Sequence, residues 1–187
     1  VWKTYTIAEE PREVGRTAAG TPMIRPAGSA VWNAPTIDPL RGAIYFGTGN
    51  AYTEPAVATS DAVMALDLKT GRVLWVTQVT PEDAFIMNCR LTIENCPDEI
   101  GPDFDFGNSP ILRSLPGGRR ILVIGQKSGV GYGLDPDDHG RLVWEYRAGR
   151  GTALGGMEWG SAADLDRAYF PVSDVLRPSA ESGGLHA

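Results

Sequence analysis

The 187-residue sequence predicts an all-β fold, a β-propeller of four-stranded antiparallel blades, on three observations. A motif recurs about every 70 residues, 23 Gly and 14 Pro cut the chain into short runs, and helical periodicity is hard to find anywhere. The repeat is the strongest of the three. "VMALDLKTGRVLW" (63–75) and "GYGLDPDDHGRLVW" (131–144) each give a strand reaching Leu-Asp, a turn closing on Gly71 or Gly140, and a fourth strand ending in Trp75 or Trp144.

In chain order, Val1-Trp2-Lys3 reads as the end of a strand closing an earlier copy, a partial blade over 1–10. Blades follow at roughly 28–80 and 104–150, with first halves "NAPTIDPLRGAIYFGTG" (33–49) and "NSPILRSLPGGRRILVIGQKSG" (108–129). "GSAADLDRAYFPVSD" (160–174) opens a further partial blade over 156–187. Trp75 and Trp144 read as wedges closing one blade on the next. Two complete blades would leave sheet faces bare, so the chain is expected to be an internal piece of a larger ring.

With 23 Asp+Glu against 17 Lys+Arg, a net charge of -6 and scattered basic residues, nucleic acid is not an expected partner. No run of 18 apolar residues exists, so no membrane span is expected in this chain. Cys89 and Cys96, seven apart in "NCRLTIENC", suit a local disulfide formed in an oxidising compartment; two free thiols are the other reading. There is no Cys-x-x-Cys-His for a c-type haem and no zinc spacing.

Strand direction alternates in a blade, so second-to-third and blade-to-blade connections leave by one face. Asn50 in "GTGN", Lys127 in "GQKSG", the acidic "CPDEIGPDFDFG" (96–107) and "GGMEWG" (155–160) all fall there. The opposite face carries plain hairpins, Lys69 to Gly71 and Asp137 to Gly140.

Together "SAVWNAPTIDPLRGAIYFGTGN", "DAVMALDLKTGRVLWVTQVTPEDAF", "GPDFDFGNSPIL", "GQKSGVGYGLDPD" and "GGMEWG" resemble the pyrroloquinoline quinone (PQQ) dependent alcohol dehydrogenases, eight-bladed propellers of the bacterial periplasm. The cysteine loop followed by "GPDFDFG" is most similar to the polyvinyl alcohol dehydrogenase branch. The resemblance implies that Trp32, eighteen residues before Asn50, is the floor under the quinone ring, and that Asn50 offers its oxygen to a Ca²⁺. It also implies that Lys127 contacts the quinone oxygens. The other readings are a core Trp32, an Asn50 that merely tolerates a left-handed turn, and a solvated Lys127.

Family members carry Thr-Pro-x-Asp-x-Trp-Asp with the last Asp as catalytic base, whereas "TPEDAFIM" puts Ile86 there. If the cysteine loop is an insertion, "PDFDFG" completes the motif and makes Asp103 the base and a metal ligand. Asp105 then falls where some relatives place an extra metal carboxylate. Asp105 as base and a structural acidic loop remain open, and Asp83 reads as a loop cap. In "GGMEWG" the resemblance puts Glu158 where the family has a cofactor-touching Asn; Trp159 reads as blade packing or a cofactor contact.

The implied activity is oxidation of an alcohol, polyvinyl alcohol or another secondary alcohol, by base-assisted hydride transfer to a metal-bound quinone. Electrons would pass to a cytochrome c, the metal being Ca²⁺ or a lanthanide. The other class is a non-catalytic propeller scaffold of the bacterial envelope, which shares the Leu-Asp repeat but has no reason to carry Trp32, Asn50, Asp103 and Lys127 on one face.

Overall fold

The computed structural model of the chain describes residues 1–91, 94–176 and 183–187. Among these there is no α-helix, only short 3-10 turns at Met87–Arg90 and Pro116–Gly118. No helix is long and apolar enough to cross a membrane, a statement that leaves β-barrels untouched.

Two four-stranded antiparallel meanders dominate. The first runs β3 (Thr36–Asp38), β4 (Ala43–Gly47), β5 (Ala62–Asp67) and β6 (Val73–Gln78); the second runs β7 (Ile111–Ser114), β8 (Arg120–Gly125), β9 (Val130–Asp135) and β10 (Arg141–Arg147). Before them β1 (Arg12–Arg16) pairs with β2 (Pro22–Arg25) as a hairpin that the sequence reading did not anticipate. After them β11 (Ala162–Ala163), β12 (Ala168–Val172) and β13 (Gly184–His186) make a three-stranded sheet. The all-β propeller architecture of partial and complete blades is as the repeat foretold.

The central strand β5 is buried from Ala62 to Leu66, which is why its sequence is an unbroken apolar run rather than an alternation. Alternate residues still go to opposite faces. Val63 and Ala65 join Tyr45, Trp75, Phe106, Leu122, Tyr132 and Leu134 in a core between the two large sheets, while Met64 and Leu66 pack with Phe46 on the other face. Ile121, Val123, Met157, Phe170 and Val172 fill the next layer, between the second large sheet and the three-stranded one.

Both fourth strands need a correction, because they run beyond Trp75 to Gln78 and beyond Trp144 to Arg147. The register shifts immediately before each Trp, so one residue bulges and the indole is re-aimed at a small partner, Ala65 or Gly133. Trp75 stacks on Tyr45 at 5.8 Å between ring centroids. It also reaches the next blade: a Cβ on Gly140, which sits at φ +71, would come within 2.5 Å of its ring, and Thr77 Oγ1 donates to Gly140 O at 2.8 Å.

The same latch appears one blade earlier. Val1-Trp2-Lys3 lies outside any strand, correcting that expectation, yet Trp2 donates its indole N–H to Leu68 O at 3.1 Å and Thr4 Oγ1 donates to Gly71 O at 2.6 Å. Trp2 and Thr4 thus do to the first blade what Trp75 and Thr77 do to the second. Trp75→Ala is expected to cost roughly 3–5 kcal/mol, the usual penalty for emptying a buried aromatic site. Denaturant unfolding would show a lowered midpoint, and a midpoint within error of the parent would refute the latch.

Candidate functional site

The site is built from connections rather than strands. The chain between β4 and β5 supplies Asn50, that between β6 and β7 supplies Asp83, Asp103 and Asp105, and the β8–β9 turn supplies Lys127. Backbone bonds stitch these segments together. Phe106 N–H donates to Thr48 O at 3.1 Å, Lys127 N–H to Asp105 O at 3.1 Å, and Met157 N–H to Gln126 O at 3.1 Å.

Asp105 is the hub. Its Oδ1 accepts the Asn50 N–H at 2.6 Å and its Oδ2 accepts Lys127 Nζ at 2.8 Å. Asp103 accepts the same ammonium through Oδ2 at 3.2 Å, so one buried lysine bridges two buried carboxylates. Burial opposes the charge on Lys127, but Asp105 and then Asp103 outweigh it and hold its pKa above the usual value. Burial, followed by the charge of Asp105, pushes Asp103 up to about 7, with Lys127 pulling the other way.

Asp103 sits at φ +65, a conformation costly for a residue with a Cβ. Asp83 holds it there: its carboxylate accepts the N–H groups of Asp103 at 3.2 Å and Phe104 at 2.8 Å. Gly101 N–H donates to Ala84 O at 2.8 Å, so the chain is back beside Ala84 by Gly101. Asp103 is thereby brought back beside Asp83. Cys89 and Cys96 are joined in a disulfide.

Asn50 is fixed by its nitrogen. Nδ2 donates to Ala51 O at 2.5 Å and Phe85 O at 2.8 Å, which leaves Oδ1 as the amide atom for a ligand in the cleft that Asn50 lines. Two repeated asparagines set the aromatic residues. Asn33 Nδ2 donates to Gly47 O and Phe106 O at 2.9 and 2.6 Å beside Trp32, and Asn108 Nδ2 donates to Trp159 O at 3.1 Å.

Trp32 presses so closely on Gly107 that a Cβ there would lie 2.2 Å from its ring, yet 40% of Trp32 remains exposed. Lys127 Nζ stands 5.4 Å from the Trp32 centroid. Trp159 meets Trp32 edge-on at 6.3 Å and is 68% exposed. Glu158 is close enough to the cluster that Lys127 lowers and Asp105 raises its pKa, burial being the larger effect and the net direction upward. Asn50, Asp103, Asp105 and Lys127 thus line one cleft, and Trp32, Trp159 and Glu158 are linked to them through ring contacts and charge.

Two residues were missed. Tyr52 lines the cleft with Asn50, Asp103, Asp105 and Lys127. Asp61 is wholly buried with neither carboxylate oxygen hydrogen-bonded, and burial pushes its pKa up to about 9, with Asp83, Asp105 and Asp103 adding to the shift. The repeat held a signal for it. Asp61 aligns with Gly129, and both positions need positive φ, +47 and +76, so an aspartate replaces the easier glycine.

No family profile matches the chain. A polyvinyl alcohol dehydrogenase of Pseudomonas sp. is 47% identical over the entire chain, and one of Sphingopyxis sp. (strain 113P3) is 42% identical over 98% of it. The chain spans 29% and 28% of the lengths of these relatives. Among solved structures, the quinohemoprotein alcohol dehydrogenase ADHIIG of Pseudomonas putida HK5 superposes with a TM-score of 0.59 at 19% identity, over 78% of this chain and 26% of that one. That likeness supports the fold.

Proposed function

We propose that the chain belongs to the PQQ-dependent alcohol dehydrogenase family, as its similarity to two polyvinyl alcohol dehydrogenases supports, and that it carries the catalytic face of an enzyme oxidising secondary alcohols, polyvinyl alcohol among them. The observation that carries this reading is the convergence of Asp103, Lys127 and Asn50 on one cleft beside the exposed indole of Trp32.

The residues suit the family's cofactor. A half-exposed indole gives a planar cofactor a stacking surface. A buried ammonium 5.4 Å from that ring matches the anionic oxygens of a quinone carboxylate. The Asn50 Oδ1, left over when its nitrogen is bound twice, is the donor type a hard cation takes. Among the described residues no group of three or more His, Cys, Asp or Glu is placed to hold a metal. Asn50 and Asp103 would thus supply part of the shell of a Ca²⁺ or lanthanide ion, and Glu158 and Trp159 would border the cofactor. When bound, the quinone supplies the two-electron acceptor and the cation supplies Lewis acidity.

The chain's own part is positioning and proton transfer. Asp105, with both oxygens engaged, keeps Lys127 and the Asn50 backbone in place. Asp103 has a single contact to Lys127 and lines the cleft, so it is the carboxylate free to take the hydroxyl proton of an alcohol. Burial raises the pKa of that carboxylate to about 7, and Lys127 opposes the shift. Electrons would leave through a cytochrome c, and the disulfide agrees with a periplasmic site.

The test is uptake of PQQ with Ca²⁺ by the full-length protein, followed as quinone absorbance that survives gel filtration. Wild type should retain it and Trp32→Ala should lose most of it. No uptake by wild type would instead favour a binding scaffold.

A further inference from the structure

Asp83 is buried and serves two segments at once. Its backbone carbonyl accepts the Ala51 N–H at 3.0 Å, one residue beyond Asn50, and Phe85 N–H answers by donating to Ala51 O at 2.9 Å. Its carboxylate reaches the other way, accepting Asp103 N–H through Oδ1 at 3.2 Å and Phe104 N–H through Oδ2 at 2.8 Å. We propose that Asp83 is a positioning residue for the reaction, which sets the interval between Asp103 and Asn50 by gripping the main chain beside each. The proposal rests on the alcohol-oxidising reading above, in which Asp103 takes the proton and Asn50 faces the cation.

Three observations give Asp83 more to do than cap a buried loop. First, its two oxygens hold consecutive N–H groups, so the 103–104 peptide is fixed in orientation as well as in place. That peptide carries the φ of +65 at Asp103, a strained conformation that a looser grip would let relax. Second, among the described residues the Asp103 side chain makes one polar contact, with Lys127 Nζ at 3.2 Å. Its aim is therefore inherited from the backbone that Asp83 holds. Third, the room for this carboxylate is kept by Gly101, where a Cβ would stand 2.2 Å from Asp83 Oδ1 and 2.9 Å from Ala84 N. A larger residue there must displace one or the other.

The experiment compares Asp83→Asn and Gly101→Ala with wild type in the full-length protein. Asparagine keeps the shape but turns an NH₂ toward one of the two N–H donors, and the alanine pushes on an unaltered Asp83. Without cofactor, amide hydrogen exchange of the segment 101–106 should quicken about tenfold or more in both variants, as loss of a hydrogen bond to a charged group requires. With quinone loaded, kcat per bound quinone for propan-2-ol should fall about 10²-fold, the cost of misplacing a reacting group by about 1 Å. KM and quinone retention should stay within a few-fold of wild type. Unchanged exchange overturns the grip; faster exchange with kcat per bound quinone unchanged leaves Asp83 a loop cap and overturns the positioning role. Should one variant fail to fold, judged by circular dichroism, the other carries the comparison. Failure of the underlying reading looks different: wild type would then take up no quinone or oxidise no alcohol, whatever the exchange shows.

Discussion

Asp103→Asn lowers kcat/KM for alcohol oxidation by about 10²–10⁴-fold, the range that loss of a positioned general base commands, while quinone retention stays near wild type. Asparagine keeps the shape and can still meet Lys127 or a cation through its oxygen, so quinone and metal retention measured beside turnover separates proton abstraction from cofactor binding. Turnover within a few-fold of wild type would remove Asp103 from the mechanism and leave Asp105 as the carboxylate to test. A pH profile sharpens the same point. A base works only when ionised, and burial holds Asp103 up at about 7 although Lys127 opposes the shift. Activity should therefore fall as pH drops through the neutral range. Lys127→Met removes the opposing cation, so the acid limb should move to higher pH; a limb that stays put would show that the ammonium does not act on Asp103.

Asp61→Asn should make the protein more stable, and increasingly so as pH rises. Both carboxylate oxygens of Asp61 are buried without a hydrogen bond, and its folded pKa stands near 9 against about 3.9 for an unfolded Asp. Between these values the folded chain keeps a proton that the unfolded chain releases. The raised pKa thus favours folding fully below about pH 4, and that contribution is lost as pH climbs toward 9, with a limiting slope of about 1.4 kcal/mol per pH unit. Asparagine cannot ionise, so its melting curves should be flatter in pH and cross above those of wild type. A variant less stable than wild type at pH 8 would mean that Asp61 is ionised and paired, and the burial argument would fall.

The blades were legible because their signals are local and repeated. Leu-Asp, the glycine turn and the tryptophan recur, and the latter two follow from a contact made twice, Trp2 on the Gly71 turn and Trp75 on the Gly140 turn. The bulge before each tryptophan was not legible, since one extra residue in a strand leaves the apolar pattern almost unchanged. Nor was the hairpin of Arg12–Arg16 and Pro22–Arg25, whose side chains are largely exposed and so carry little alternation. At the site, spacing and resemblance pointed to Asn50, Asp103 and Lys127, and the fold brings them together. What spacing could not give was the division of labour between Asp103 and Asp105. That depends on Asp105 being tied at both oxygens by groups 55 and 22 residues away in sequence.

The hydrogen bond from Gly101 to Ala84 carries one more consequence. Because the cysteine loop departs and returns at neighbouring backbone positions, its length and composition can be changed while Asp103 keeps its seat on Asp83. An engineer could exchange the stretch from 88 to 100 for a shorter one, keeping Phe85, whose carbonyl holds Asn50, and leaving the seat of Asp103 on Asp83 in place.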